Sequence, residues 1–129
     1  MPVALPVNRF KSRLRSGPPQ IGFWSTFASP VATEILGLAG FDWIALDTEH
    51  GPGDPYQTLL QLQALQGTEA SACVRIACND PVLAKKALDI GAQTLIVPQV
   101  DSLEDARRAA ALFKFPAAGI RGVSTTSRA

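Results

Sequence analysis

Acidic residues are absent before Glu34, and the 129 residues hold only one histidine and two cysteines. Each scarcity removes a possibility. A single histidine cannot make a His-x-x-x-His site, and Cys73 and Cys78 do not have Cys-x-x-Cys spacing, so neither common metal signature is present. Five apart in one apolar segment, the two cysteines would lie on opposite faces of a strand and cannot pair locally. We expect reduced, buried thiols, as in a cytoplasmic protein. No apolar run reaches the roughly 18 to 20 residues of a membrane span, because Pro, Gly or a charge interrupts each one, so a soluble chain is expected. Twelve basic against eleven acidic residues leave a net charge of +1, which offers no general affinity for nucleic acid. A Gly-x-Gly-x-x-Gly run is missing where Gly22 stands alone, as is a Gly-Lys-Ser phosphate loop. None of the four lysines, Lys11, Lys85, Lys86 and Lys114, falls at a strand end where a Schiff-base lysine is expected.

What is present is a repeat of helix starts. Ser29 before Pro30, Asp54 before Pro55, Asp80 before Pro81, and Ser102 with Asp105 three residues on all read as N-caps, spaced 25, 26 and 22 residues apart. Proline at the first helical position needs no donor, and the preceding Ser or Asp accepts from free amides of the first turn. Strand-like runs precede the caps at 20–27, 41–49, 71–78 and 93–100. Helical patterns follow at 31–38, 56–65, 82–88 and 103–113, the first three closed by Gly40, Gly67 and Gly91 in the left-handed stop position. Ahead of these units, Arg9, Lys11, Arg13 and Arg15 crowd a segment that could be a transit peptide or a short amphipathic helix. We expect the helix, with Phe10 and Leu14 on its inner side. The order is therefore a helix, four βα units and a terminal loop over 117–129. Such alternation makes a parallel sheet, either an open doubly wound one or part of a (βα)8 barrel.

Ligands of parallel α/β proteins lie at the carboxyl ends of the strands. The second strand ends in Asp47-Thr48-Glu49-His50-Gly51, placing the only histidine beside two carboxylates, where it can meet solvent and titrate near neutrality. In the third strand, alternation turns Val74 and Ile76 to the helices and Arg75 to the other face. A guanidinium there needs a carboxylate such as Asp47 or Glu49, or else an anionic ligand; we favour the ligand. Asp89 falls in the last turn of its helix, a position the helix dipole disfavours for a carboxylate but that solvent tolerates on a surface.

Several ordered motifs extend this reading: Asn8-Arg9-Phe10-Lys11, Gln20-Ile21-Gly22-Phe23-Trp24, Leu36-Gly37-Leu38-Ala39-Gly40-Phe41-Asp42-Trp43, Asp47-Thr48-Glu49-His50, Val74-Arg75, Asn79-Asp80-Pro81, Leu88-Asp89-Ile90-Gly91, Val97-Pro98 and Ala118-Gly119-Ile120-Arg121-Gly122-Val123-Ser124. In this order they resemble the HpcH/HpaI aldolase family over nearly the whole chain. The resemblance implies a (βα)8 barrel, of which residues 1–129 would form one partial domain, the N-terminal half, since a barrel needs eight units and about 250 residues. It implies reversible aldol cleavage of a 2-oxo acid, such as 2-dehydro-3-deoxyglucarate or, next, 4-hydroxy-2-oxoheptanedioate, to pyruvate and an aldehyde. A divalent metal, usually Mg²⁺, would act as Lewis acid. By motif match His50 would be the base, Arg75 would stabilise the enolate, and Asp89 would raise the basicity of His50.

The family's metal ligands, a Glu and an Asp on later strands, lie beyond the equivalent of Arg121. The expectation is therefore a chain with no metal ligands of its own, inactive alone, in a family expected to be homo-oligomeric. Asp89 sits on the helix end far from the strand ends, so we expect any bond to His50 to form across a subunit interface or after distortion of the helix end. A competing expectation is a non-catalytic half-barrel that associates with itself.

Overall fold

The computed structural model describes residues 7–128. Four short strands, β1 (Gly22–Ser25), β2 (Trp43–Asp47), β3 (Ser71–Arg75) and β4 (Leu95–Ile96), form one sheet in sequence order, with every pair parallel. Helix α1 (Arg9–Ser16) precedes them, and α2 (Pro30–Leu38), α3 (Pro55–Leu65), α4 (Pro81–Asp89) and α5 (Leu103–Ala111) follow one strand each. This is the expected helix plus four βα units. All four expected caps operate: Ser29 accepts from the Ala32 amide, Asp54 from Gln57, Asp80 from Val82 and Leu83, and Ser102 from Asp105. Gln57 and Asp105 return the bond to the cap backbone, closing two capping boxes.

The helix ends follow expectation at two of three glycines. Gly40 (φ 90°) and Gly91 (φ 105°) take the left-handed conformation, whereas Gly67 does not. After α3 the chain tightens instead: the Gln66 amide donates to the Gln63 carbonyl, and both the amide and hydroxyl of Thr68 donate to the Leu65 carbonyl. The last carbonyls are thus satisfied without a left-handed residue.

All strands are shorter than their sequence patterns, β4 most of all, with two residues in place of 93–100. Among the described residues it is an edge strand bonded only to β3, and Pro98, lacking an amide hydrogen, cannot extend the ladder. The terminal loop, described as far as Arg128, carries no helix or strand.

Alternation sorts the sheet residues into two faces. Ile44, Leu46, Val74 and Ile76 are buried against Leu62 and Leu65 of α3 and Ala84 and Ala87 of α4. Each fully buried aliphatic side chain is worth about 1.5–3 kcal/mol over its exposed state, so this face anchors the fold. The opposite face carries Trp24 in register with Ala45 and Cys73, and beyond that layer Asp47 in register with Arg75. Cys73 is buried there, and burial pushes its thiol up to about 11. Cys78, expected to be buried with it, is exposed, because β3 ends at Arg75 and leaves it in the following loop.

Helix α1 is bound mainly by polar contacts to segments preceding β2, β3 and β4. Arg13 pairs with Asp42 at 2.8 Å, Arg9 with Glu69, and the Asn8 amide donates to the Gln93 carbonyl and Thr94 hydroxyl. Phe10 is its inward apolar residue, edge-on to Trp43 at 6.1 Å between centroids. Leu14, expected beside it, is 63% exposed, because Arg9 and Arg13 hold the helix through its polar side and leave Leu14 at the rim of an open groove with Phe10 and Trp43.

Candidate functional site

The carboxyl ends of β1, β2 and β3 bring Trp24, Asp47, Glu49, His50 and Arg75 together. Asp47 closes β2, and its side chain is 3% exposed. Its Oδ2 accepts from the Trp24 indole Nε1 at 2.8 Å and from Arg75 Nη1 at 3.2 Å, while its Oδ1 accepts from the backbone amides of Glu49 at 2.9 Å and His50 at 3.1 Å. Burial by itself would push the Asp47 carboxyl up. The hydrogen bonds from Trp24, from the His50 and Glu49 amides and from Arg75 outweigh it and hold the carboxyl below its usual range.

The turn after Asp47 is fixed residue by residue. Thr48 donates both its amide and its hydroxyl to the Arg75 carbonyl, at 2.9 and 2.6 Å, which ties the end of β2 to that of β3. Gly51 is required by space, since a Cβ there would lie 2.3 Å from the Asp47 carbonyl oxygen. His50 therefore projects from a closed turn, its side chain 69% exposed, with Nε2 3.7 Å from Glu49 Oε1.

Arg75 is the centre of charge. Besides Asp47 it pairs with Glu49, Nη2 lying 2.6 Å from Oε2, and its guanidinium stacks over the Trp24 ring at 5.4 Å. The Nη2 contact is off the hydrogen-bonding direction, so the buried Glu49 Oε2 takes no hydrogen bond from the described residues. The carboxylate partners that the sequence offers Arg75 are thus both in place. Two carboxylates face one guanidinium, and the cluster carries a net negative charge before His50 is counted. An anion reaching Arg75 must displace Glu49 or be accompanied by a cation.

Asp89 is not part of this cluster. It ends α4, where its Oδ1 lies 3.3 Å from Arg121 Nη2 and its carbonyl accepts from the Arg128 amide. Trp24 is the site residue that the sequence reading overlooked. It shares the face of Arg75 near a strand end, and although the side chain is 44% exposed its indole N–H donates to Asp47; a polar-tipped ring on the face of Arg75 is the signal that could have found it.

The described residues do not fit a divalent cation. Mg²⁺ takes oxygen ligands in near-octahedral geometry. Both oxygens of Asp47 are already used by N–H donors, Glu49 is paired with Arg75, and among the described residues no three His, Cys, Asp or Glu side chains group as metal ligands.

A parallel βα sheet with an arginine, two carboxylates and a histidine at adjoining strand ends has the layout of an α/β-barrel active site. The chain matches the HpcH/HpaI aldolase/citrate lyase family over residues 20–128 and belongs to that family. It is 51% identical over 125 residues to a pyruvate aldolase of Rhizobium etli, covering 97% of this chain and 49% of that protein. It is 48% identical over 122 residues to a 5-keto-4-deoxy-D-glucarate aldolase of Salmonella newport, covering 95% and 48%. Its fold superposes on the crystal structure of an HpcH/HpaI aldolase/citrate lyase family protein from Burkholderia cenocepacia with a TM-score of 0.90 and 37% identity, over 95% of this chain and 50% of the other. The chain spans about half the length of the curated relatives it matches, and the four βα units correspond to the N-terminal half of the family's (βα)8 barrel.

Proposed function

We propose that these residues supply the base and anion-contact half of a pyruvate aldolase that cleaves a 2-oxo-3-deoxy sugar acid, with 2-dehydro-3-deoxyglucarate the favoured substrate. His50 takes the proton of the C4 hydroxyl, directly or through water. The C3–C4 bond breaks, tartronate semialdehyde leaves, and the bond electrons pass into the enolate of pyruvate, which is then protonated at C3. Arg75 turns from Glu49 to the enolate oxygen. Asp89 supports the basicity of His50 through a contact between subunits of a homo-oligomer. The observation that carries this reading is the meeting of Arg75 and His50 at adjoining strand ends, with Glu49 between them. The Lewis-acid metal of such a reaction has no fitting ligand set among the described residues, and no step above is routed through it.

Two assays test the proposal. The 129-residue chain with Mg²⁺ should release no pyruvate from 2-dehydro-3-deoxyglucarate above background; release abolished by His50→Ala would overturn the inactivity. Residues 20–128 exchanged for the matching half of the Rhizobium etli pyruvate aldolase should give an active chimera. In it, His50→Ala should lower kcat about 10²- to 10⁴-fold, the usual worth of a positioned base. A chimera that keeps its rate with Ala at both 50 and 75 would refute both roles.

A further inference from the structure

We propose that Asp47 is the positioning residue of this strand end, orienting the Arg75 guanidinium with one carboxylate oxygen and the turn carrying His50 with the other. The inference rests on the roles given to Arg75 and His50 above, and concerns what holds those two groups in register with each other.

An ionised carboxylate offers about four acceptor sites, and the four donors on Asp47 use them all. Asp47 therefore has no capacity left for a substrate hydroxyl or a transferred proton, and its work is to aim other groups. The donors come from three separate segments: Trp24 on β1, Arg75 on β3, and the Glu49 and His50 amides in the turn after β2. Trp24 acts on Arg75 twice, once through its ring face and once through the oxygen it shares with Nη1. The indole can reach that oxygen because its in-register neighbour on β2 is the small residue Ala45, one layer below Asp47.

Glu49 cannot do the same work. It approaches Nη2 closely but without a directed hydrogen bond, so it balances charge without setting the plane of the guanidinium. Asparagine at position 47 would keep the shape with one acceptor oxygen, able to serve Arg75 and Trp24 or the turn, but not both. Hydrogen bonds to charged groups are worth enough that losing one should raise local amide opening about tenfold or more.

The test is solution NMR of the ¹⁵N-labelled 129-residue chain, comparing wild type with Asp47→Ala, Asp47→Asn and Trp24→Phe. Asp47→Ala should speed hydrogen exchange at the Glu49 and His50 amides about tenfold or more and merge the Arg75 Nη signals into those of a freely rotating guanidinium. Amides of β3 away from this cluster, such as Val74, which donates to the Thr94 carbonyl, should keep their protection. Asp47→Asn should rescue one of the two effects. Trp24→Phe should loosen Arg75 and leave the Glu49 and His50 amides unchanged. If Asp47→Ala fails to fold, the Asn and Phe variants decide by the same two readouts. Unchanged signals in both, or protection lost uniformly over the sheet, would overturn the proposal. The aldolase reading fails by a separate result, a chimera active without His50 and Arg75, which leaves this local coupling standing.

Discussion

Asp89 Oδ1 lies 3.3 Å from Arg121 Nη2, at the end of α4, while His50 Nε2 lies 3.7 Å from Glu49 at the carboxyl end of β2. Because α4 begins just after the end of β3 and its chain must return to start β4, its last residue falls toward the opposite mouth of the sheet. A carboxylate placed there is countered by the C-terminal loop, which folds back so that Arg121 stacks on Phe115 at 4.8 Å and pairs with Asp89.

If Asp89 assists His50, it does so across a subunit interface or after distortion of the end of α4. A full-length family oligomer containing this half should bring Asp89 of one chain within about 4 Å of His50 of its neighbour, the reach of an ion pair. A crystal structure of the chimeric enzyme checks this, and an oligomer with no such approach removes Asp89 from the mechanism. Arg121→Ala should cost the isolated chain only about 1 kcal/mol in urea unfolding, since the pair is partly solvated.

Acid should weaken the fold through Asp47. Its carboxyl is held below the usual 3.8 in the folded chain and returns to about 3.9 on unfolding. The unfolded state therefore binds more protons in that range. The stabilisation is fully present above the unfolded value and is lost as pH falls through the folded one. Urea midpoints measured from pH 7 to pH 3 should drop further for wild type than for Asp47→Asn; equal slopes would contradict this.

The cysteines should differ in reactivity. Cys78 is exposed, whereas Cys73 is buried with its thiol pushed up to about 11, so at pH 8 very little of it is thiolate. Iodoacetamide on the native chain should modify one residue, identified by peptide mapping as Cys78, with Cys73 reacting only after denaturation. Equal labelling of both would mean that the inner face of the sheet opens readily.

Val31, Ile35 and Leu38 are exposed along α2, and Trp24 and Phe27 are exposed at and just after β1, an edge strand. Unpaired strand edges beside apolar surface promote association. The 129-residue chain should leave the monomer position in size-exclusion chromatography, and Val31→Lys with Ile35→Lys should restore it. A clean dimer would support the self-associating half-barrel, broad aggregation would support a half lacking its complement, and a stable monomer would refute both.

Much of the architecture was legible in the sequence because its signals are local. A Ser or Asp before a proline satisfies amides within the next three residues, so the four caps at 29, 54, 80 and 102 could be read without the fold. Alternation placed Val74 and Ile76 against the helices for the same reason. Strand lengths were not legible, since a ladder ends where its neighbour ends, and Pro98 with only one partner strand cut β4 to two residues. Leu14 and Gly67 misled because each pattern was valid locally but was overridden, Leu14 by the polar anchoring of α1 and Gly67 by the bonds of Thr68.

At the site, residue type and strand-end position were enough to single out His50 and Arg75, and the order of motifs was enough for the family. The partners were not. Whether Arg75 meets a ligand or the carboxylates of Asp47 and Glu49, which donors Asp47 gathers, and that Asp89 faces Arg121 all depend on distances between segments far apart in the chain. Local sequence determines which residues start helices and which face a strand presents; only the packed sheet decides which charges share a space, because hydrogen bonds and ion pairs act over a few ångströms that no sequence separation encodes.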